Sequence, residues 1–401
     1  MRSAQPRAET SARLLYHRVL DVRTIAKIAI PALLLGAIVY VRSSPFTAWT
    51  RFQTFALALA LVVHLAVILR GRLRDAMVVV ATLLLCLTLI EAYCVDALVT
   101  TSDIIAPDYT VPHPTLGWAR GHAGVFHHIK RDVETGRVIL DATYTIDGNL
   151  NRHVVSAEDG PTVAFYGGSD TFGVGLEDSD TLPQLFADAT ERHARVLNFG
   201  VAGYGPQQYL RALETGMNDD VLTRPRLIVY ETIPWQAERT ACINSYMRTA
   251  PRYELVGGQA VFQGACAERW SLPLRILWEH TSIYGKFVEP RLSGARPEKL
   301  DLYVAVLARA GQIARDKYGA PTAILYTPSA SYLRPAGYTD EDMMRRLREA
   351  GLVVVDGTLD PRAFPGQTLE IPGEGHPTGA ANRIWAERLN KVFAGLAPPS
   401  P

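Results

Sequence analysis

The chain has almost no net charge: 41 Lys and Arg against 40 Asp and Glu leave +1 across 401 residues. A main partner made of nucleic acid calls for a basic excess, and none exists. Cysteine is scarce, four residues in all. Cys86 and Cys94 fall in an apolar run, where they read as inert side chains, and only Cys242 and Cys266 lie in the soluble part. There is no internal repeat in the soluble part and no low-complexity tract beyond the proline-rich C-terminal tail. The length suits two or three structural units at about 100–200 residues per domain.

What the chain does have is apolar residues crowded into its first hundred positions. Runs at 25–41, 52–69 and 76–97 are each near the ~20 residues needed to cross a hydrocarbon core. Lys27 and Pro31 lie in the first, and Lys27 is close enough to its end to snorkel. A cleaved signal peptide does not fit, because further apolar spans follow at once and no small-residue cleavage site is evident. Arg2, Arg7, Arg13, Arg18 and Arg23 precede the first span, and Arg70, Arg72 and Arg74 sit between the second and third. The intervening turn has only Arg42 and Arg51. The positive-inside bias therefore predicts a cytoplasmic N-terminus over 1–24, three spans over 25–99 and an external remainder. In a bacterium this is a multi-pass inner-membrane protein with a periplasmic or otherwise extracytoplasmic domain. Glu91 is placed at the interface and His64 in a helix–helix contact, neither with a chemical role. On that side of the membrane Cys242 and Cys266 are a pair open to oxidation.

Residues 100–160 read as a stalk or lead-in. Pro107, Pro112 and Pro114 interrupt any helix, and 137–146 followed by Asp-Gly-Asn reads as a strand entering a hairpin turn. His122, His127 and His128 occur here without a nearby cysteine or a convincing carboxylate partner, so no metal is assigned to them. From 161 to 396 short apolar strands at 163–166, 195–199, 227–231, 322–326 and 352–355 alternate with helical stretches. Those stretches fall near 181–194, 206–217, 297–318, 340–350 and 378–393. This alternation predicts an α/β fold, a flavodoxin-like parallel sheet in three layers. The interval between the third and fourth strands is too long for one crossover, so 235–296 is an insertion. It is rich in aromatics and contains both soluble cysteines. A bridge there makes 236–290 an ordered lid, with Trp270, Trp278 and Tyr284 lining an acyl or acceptor pocket.

The first of these strands ends in Gly167-Gly168-Ser169-Asp170-Thr171. A strand stopping at such a turn delivers Ser169 to the carboxyl edge of the sheet, where open α/β folds place their chemistry. Glycines beside a nucleophile leave room for a substrate carbonyl to reach its Oγ. The Gly-x-Ser-x-Gly elbow is absent, since Thr171 stands where it needs a glycine. The second strand runs into Asn198-Phe-Gly-Val-Ala-Gly203-Tyr204, where a free N–H of Gly203 can face a developing oxyanion. The third ends in Ile233-Pro-Trp235-Gln236, and the last loop carries Glu374-Gly-His376-Pro377. His376 is the histidine at a strand edge, and Glu374 two residues earlier can orient its ring.

Three of these stretches, 167–173, 198–203 and 374–377, resemble ordered blocks of the SGNH, or GDSL-type, serine hydrolases. Leu116-Gly-Trp118 and Tyr144-Thr-Ile146 resemble the lead-in of membrane-anchored members. The resemblance implies a three-layer α/β/α fold that cleaves or transfers acyl groups on esters without a metal or other cofactor. It implies Ser169 as nucleophile, His376 as general base and Gly203, with the Ser169 N–H, as oxyanion donors. Two departures stand out. The third block lacks its usual asparagine, so Gln236 or the Trp235 indole is taken as the substitute donor. The residue three before His376 is Gly373, so Glu374 is taken as the acid, with Asp356 as fallback. Tyr204 and Trp235 are assigned to the substrate.

The expected activity is hydrolysis of O-acyl esters through an acyl-enzyme. The nearest alternative is O-acyl transfer on an envelope glycan or lipid. Three spans are too few to carry an acyl donor across the membrane, so a transferase calls for a membrane partner that supplies it. An alternative of another class is a non-catalytic envelope protein that binds a glycan or a partner.

Overall fold

The computed structural model describes residues 22–43, 48–98, 100–269 and 281–396. Among them two compact units form: the N-terminal helices with 281–286, and 100–269 with 287–396.

The first unit holds α1 (Val22–Ser43), α2 (Ala48–Ile68) and α3 (Arg72–Leu98). All three are long and apolar enough to cross a membrane. They expose large apolar side chains such as Leu33, Val67 and Leu83, as helices do whose solvent is lipid. Glu91 is buried, and its carboxylate accepts the N–H groups of Ser282 and Ile283 at 2.6 and 3.0 Å. It thus satisfies backbone donors at the start of a helical segment.

The second unit begins with the lead-in. Here β1 (Thr101–Ala106), β4 (Gly124–Asp132) and β5 (Val138–Ile146) form an antiparallel sheet, and β2 (Thr110–His113) pairs with β3 (Gly117–Arg120). The segment read as a stalk is folded against the body of this unit. Leu140, Ala142, Tyr144 and Ile146 alternate inward along β5, and the last three pack with Phe126, Tyr109 and Phe172. Arg152 continues this sheet into the next by bridging Ile146 on one side and Asn198 on the other. Its buried guanidinium donates to Asp178 and Leu176 and lies 4.3 Å from the Tyr144 ring centroid.

The central sheet is parallel, with strands β6 (Thr162–Tyr166), β7 (Arg195–Asn198), β8 (Leu227–Thr232), β11 (Thr322–Tyr326) and β12 (Val353–Asp356) in the order β12-β11-β8-β6-β7. Counted along the chain this is the doubly wound order 2-1-3-4-5 expected from the sequence. The three central strands are buried on both faces and the edge strands β7 and β12 only in part, and side chains alternate between the faces. Ala164, Tyr166, Tyr230 and Ile324 face α6 (Pro206–Thr215), α8 (Pro297–Tyr318) and α9 (Asp340–Glu349). Val163, Phe165, Val229 and Leu325 face α5 (Leu182–Ala189) and α10 (Gly379–Gly395). That makes three layers.

The insertion starts with α7 (Gln236–Thr240) and holds the hairpin β9 (Pro251–Val256) and β10 (Gln259–Ala265), which turns at Gly257-Gly258. Cys242 and Cys266 are joined by a disulfide, Cα to Cα 5.6 Å, beside Met247 and Ala250. Trp270 and Trp278 lie outside the described residues. Tyr284 is buried and belongs to the first unit.

Candidate active site

At the carboxyl edge of the parallel sheet is a cavity of about 1100 Å³. Ser169, Gly203, Trp235, Glu374 and His376 all line it. The end of each strand explains how.

Behind β6 the chain makes one helical turn, α4 (Ser169–Phe172), closed by a bond from the Gly173 N–H to Ser169 O. The preceding glycines are required by the interior rather than by substrate access. A Cβ at Gly167 would lie 2.1 Å from Thr171 Oγ1, and one at Gly168 would lie 3.1 Å from both Arg239 Nη1 and Tyr204 O. Asn198, fully buried at the end of β7, donates to Thr171 O and accepts the Gly200 N–H. It pins the turn that presents Ser169 to the loop that presents Gly203. β3 holds that loop from the other side. Trp118 Nε1 donates to Ala202 O at 3.0 Å and Arg120 Nη1 to Gly200 O at 2.6 Å. Gly203 has φ +85°, and among the described residues nothing accepts its N–H or that of Ser169. Two unsatisfied donors on one cavity wall are the equipment of an oxyanion hole.

The last loop folds back on itself. Glu370 bridges Pro377, Ile371 N–H donates to His376 O, and Gly375 takes φ +89°. That left-handed residue lets Glu374 reach both the His376 backbone N–H, at 3.1 Å, and ring Nδ1. The acid proposed from the sequence is therefore in contact with the histidine. The fallback, Asp356, is spent on its own turn through Thr358 N–H and Oγ1. Burial works against the Glu374 charge, but the hydrogen bond and charge of His376 with that of Lys130 bring the carboxyl down to about 2. For His376 burial disfavours the charged ring, yet the Glu374 bond and the charges of Asp170 and Glu374 raise it above its ordinary value. Nε2 looks away from Glu374 and lies 3.7 Å from Asp170 Oδ1.

Two assigned residues are elsewhere. Gln236 is buried off the cavity wall, and its amide oxygen accepts from Tyr230 and Thr232 hydroxyls, both at 3.1 Å. It is not placed as an oxyanion donor. Tyr204 turns its ring to Trp118 and its hydroxyl to Trp118 O at 2.5 Å. It lines a second cavity of about 240 Å³ behind the loop, so its side chain does not meet substrate in the first.

The cavity also receives residues that the sequence reading missed. Arg239 stacks its guanidinium 4.5 Å from the Trp235 ring centroid and donates to Tyr204 O at 2.6 Å. Trp235 and Arg239 are four apart across a helical turn and so share a face, a spacing visible in the sequence. Lys130, from β4, lies 3.3 Å from Glu374 Oε1. No local pattern marks it, because only the antiparallel pairing of the lead-in brings it there.

No family model and no curated protein matches the chain. Solved structures similar to it include a lipolytic protein of the G-D-S-L family from Veillonella parvula DSM 2008, at 17% identity over 59% of this chain and 100% of that one, TM-score 0.37. Another is a carbohydrate acetylesterase family member from Sinorhizobium meliloti, at 15% over 59% and 100%, TM-score 0.34. A third is the psychrotrophic esterase EstA from a Pseudoalteromonas species, at 12% over 58% and 96%, TM-score 0.32.

Proposed function

We propose that this protein is a membrane-anchored serine esterase of the SGNH type that hydrolyses O-acyl esters through an acyl-enzyme. The observation that carries the reading is the convergence of Ser169, two free N–H donors and a carboxylate-bound His376 on one cavity. In the reaction His376 Nε2 takes the proton of Ser169 Oγ, which attacks the ester carbonyl. The N–H groups of Ser169 and Gly203 receive the charge that develops on the carbonyl oxygen, and Glu374 supports the imidazolium. His376 then protonates the leaving alcohol, and water resolves the acyl-enzyme by the same route in reverse. Arg239, which reaches the wall beside Trp235, supports the reading that the oxyanion side is complete without the asparagine of the third block.

The external side of a bacterial inner membrane is the proposed place of this chemistry, supported by the arginine asymmetry around the three spans. An envelope glycan or lipid ester is then the substrate within reach. A cavity of about 1100 Å³ also leaves room for an acceptor hydroxyl in place of water. A fluorophosphonate probe tests the core of the reading. The wild-type protein should label at Ser169, and the His376→Ala variant should not. A folded wild type that fails to label would make this domain a binding module instead.

A further inference from the structure

The catalytic reading leaves one buried group unexplained. Glu231, at the carboxyl end of β8, is fully buried, and among the described residues no N–H reaches either of its oxygens; the hydroxyl beside it is that of Thr171. The group it meets is another carboxyl, that of Asp170, the residue directly after the proposed nucleophile. Two neighbouring carboxyls disfavour double ionisation, and burial places the proton on the one sealed from water. The two differ in surroundings. Glu231 is sealed, whereas Asp170 lines the cavity and is 23% exposed, with Oδ1 3.7 Å from His376 Nε2.

We propose that Asp170 is a positioning residue of this site: its carboxylate, held by a proton on Glu231, faces Nε2 of His376 and stabilises the imidazolium that forms when Ser169 gives up its proton. The inference rests on the catalytic reading above and adds a second carboxylate to it. His376 then sits between two anions, Glu374 on Nδ1 and Asp170 on the Nε2 side. In the step itself the Ser169 Oγ–H bond breaks, the proton goes to Nε2, and neither Asp170 nor Glu231 gains or loses one.

The directions of titration agree with this placement. Burial first, and then the charge and hydrogen bond of Asp170, push Glu231 well above the ordinary carboxyl range. Burial raises Asp170 as well, and the charges of His376 and Arg239 with the bond from Glu231 offset part of that rise against the added charge of Glu374, so Asp170 stays above the ordinary carboxyl value, though not as far above it as Glu231. A second anion beside the nucleophile also has a cost, since it repels the developing oxyanion. Arg239, which faces both carboxyls from α7, offsets it. The remaining charged groups facing His376 are Glu374 from its own loop and Lys130 from β4, which opposes the ring's charge.

The test is the titration of His376 in the full-length, detergent-solubilised protein, followed by NMR with labelled histidine and assigned through His376→Ala. Wild type should titrate above about 6.5, the free histidine value. Asp170→Asn should lower the midpoint by about one unit, a typical loss for one opposite charge at this range. The acid limb of kcat/KM should move down with it. Glu231→Gln, whose amide can donate to Asp170 as the carboxyl proton does, should leave the midpoint within about 0.3 unit of wild type. A wild-type midpoint at or below 6.5, or an Asp170→Asn midpoint equal to wild type, overturns the proposal even if the enzyme is active. If Glu231→Gln shifts the midpoint as far as Asp170→Asn, the proton is not held on Glu231 and the assignment fails. Should the wild type neither turn over esters nor label, the catalytic reading falls, while the midpoints still decide whether Asp170 charges the ring.

Discussion

At the scale of single residues, the proposed roles differ in how much the loss of each side chain should cost. Ser169→Ala and His376→Ala should each abolish nearly all ester turnover, and the double variant should be little worse than either, because a nucleophile and its base act as a unit. Glu374→Gln should be milder, since an amide keeps one hydrogen bond to the ring but loses the charge. Asp356→Asn should be close to neutral, because that carboxylate serves Thr358 only. Turnover of a series of short-chain esters checks all four, and an Asp356 variant worse than the Glu374 variant would reverse the choice of acid. The residues legible from sequence were those whose neighbours lie within a few positions. Glu374 and His376 share a four-residue loop, and Ser169 and Gly203 follow strands that announce themselves. Gln236 misled because the chain enters a helical turn at that point, which rotates its side chain back to Tyr230 and Thr232 while Trp235 and Arg239 share the cavity face. Lys130 and the Asp170–Glu231 contact depend on pairings between distant strands, which no spacing records.

At the scale of elements, the five parallel strands were plain in the sequence because burial on both faces makes each a continuous apolar run. Of the lead-in, the strand at 137–146 was legible and is β5, but the prolines suggested a stalk and hid the pairing with β4 and β1. The structure places Pro112 within β2, a two-stranded pair that Pro can join, and leaves β4 and β5 free of proline. The insertion has its own device. The disulfide joins Cys242, whose N–H donates to Arg239 O, to Cys266 at the end of the β9–β10 hairpin, 24 residues later. Closing a loop of this size should stabilise the protein by about 3–4 kcal/mol. Replacing both cysteines by serine should therefore lower the unfolding free energy by that order and, by loosening α7 at Arg239, reduce ester turnover as well. Denaturant titration with parallel kinetics separates the two effects. A destabilised variant with unchanged turnover would limit the bridge to a structural role, and non-reduced peptide mapping reports whether the bond forms in the cell.

At the scale of the whole chain, an odd number of spans carries a consequence that no local feature does: if all three helices cross, the N-terminus and the domain that follows them are expected on opposite sides of the membrane. Three helices of sufficient length and apolarity precede the domain. Five arginines precede the first helix and three lie between the second and third, against two in the remaining turn. Each Lys or Arg retained in the cytoplasm adds to one orientation, and by this count the proposed orientation has the N-terminus and the second turn inside. A reporter active only outside the cytoplasm should therefore be active when fused after residue 401 and silent when fused near Arg72. The reverse pattern would put Ser169 in the cytoplasm, where envelope esters are out of reach and a disulfide between Cys242 and Cys266 would be kept reduced. The bond and the substrate class both require the proposed orientation, and the two fusions test that requirement through one measurement of side.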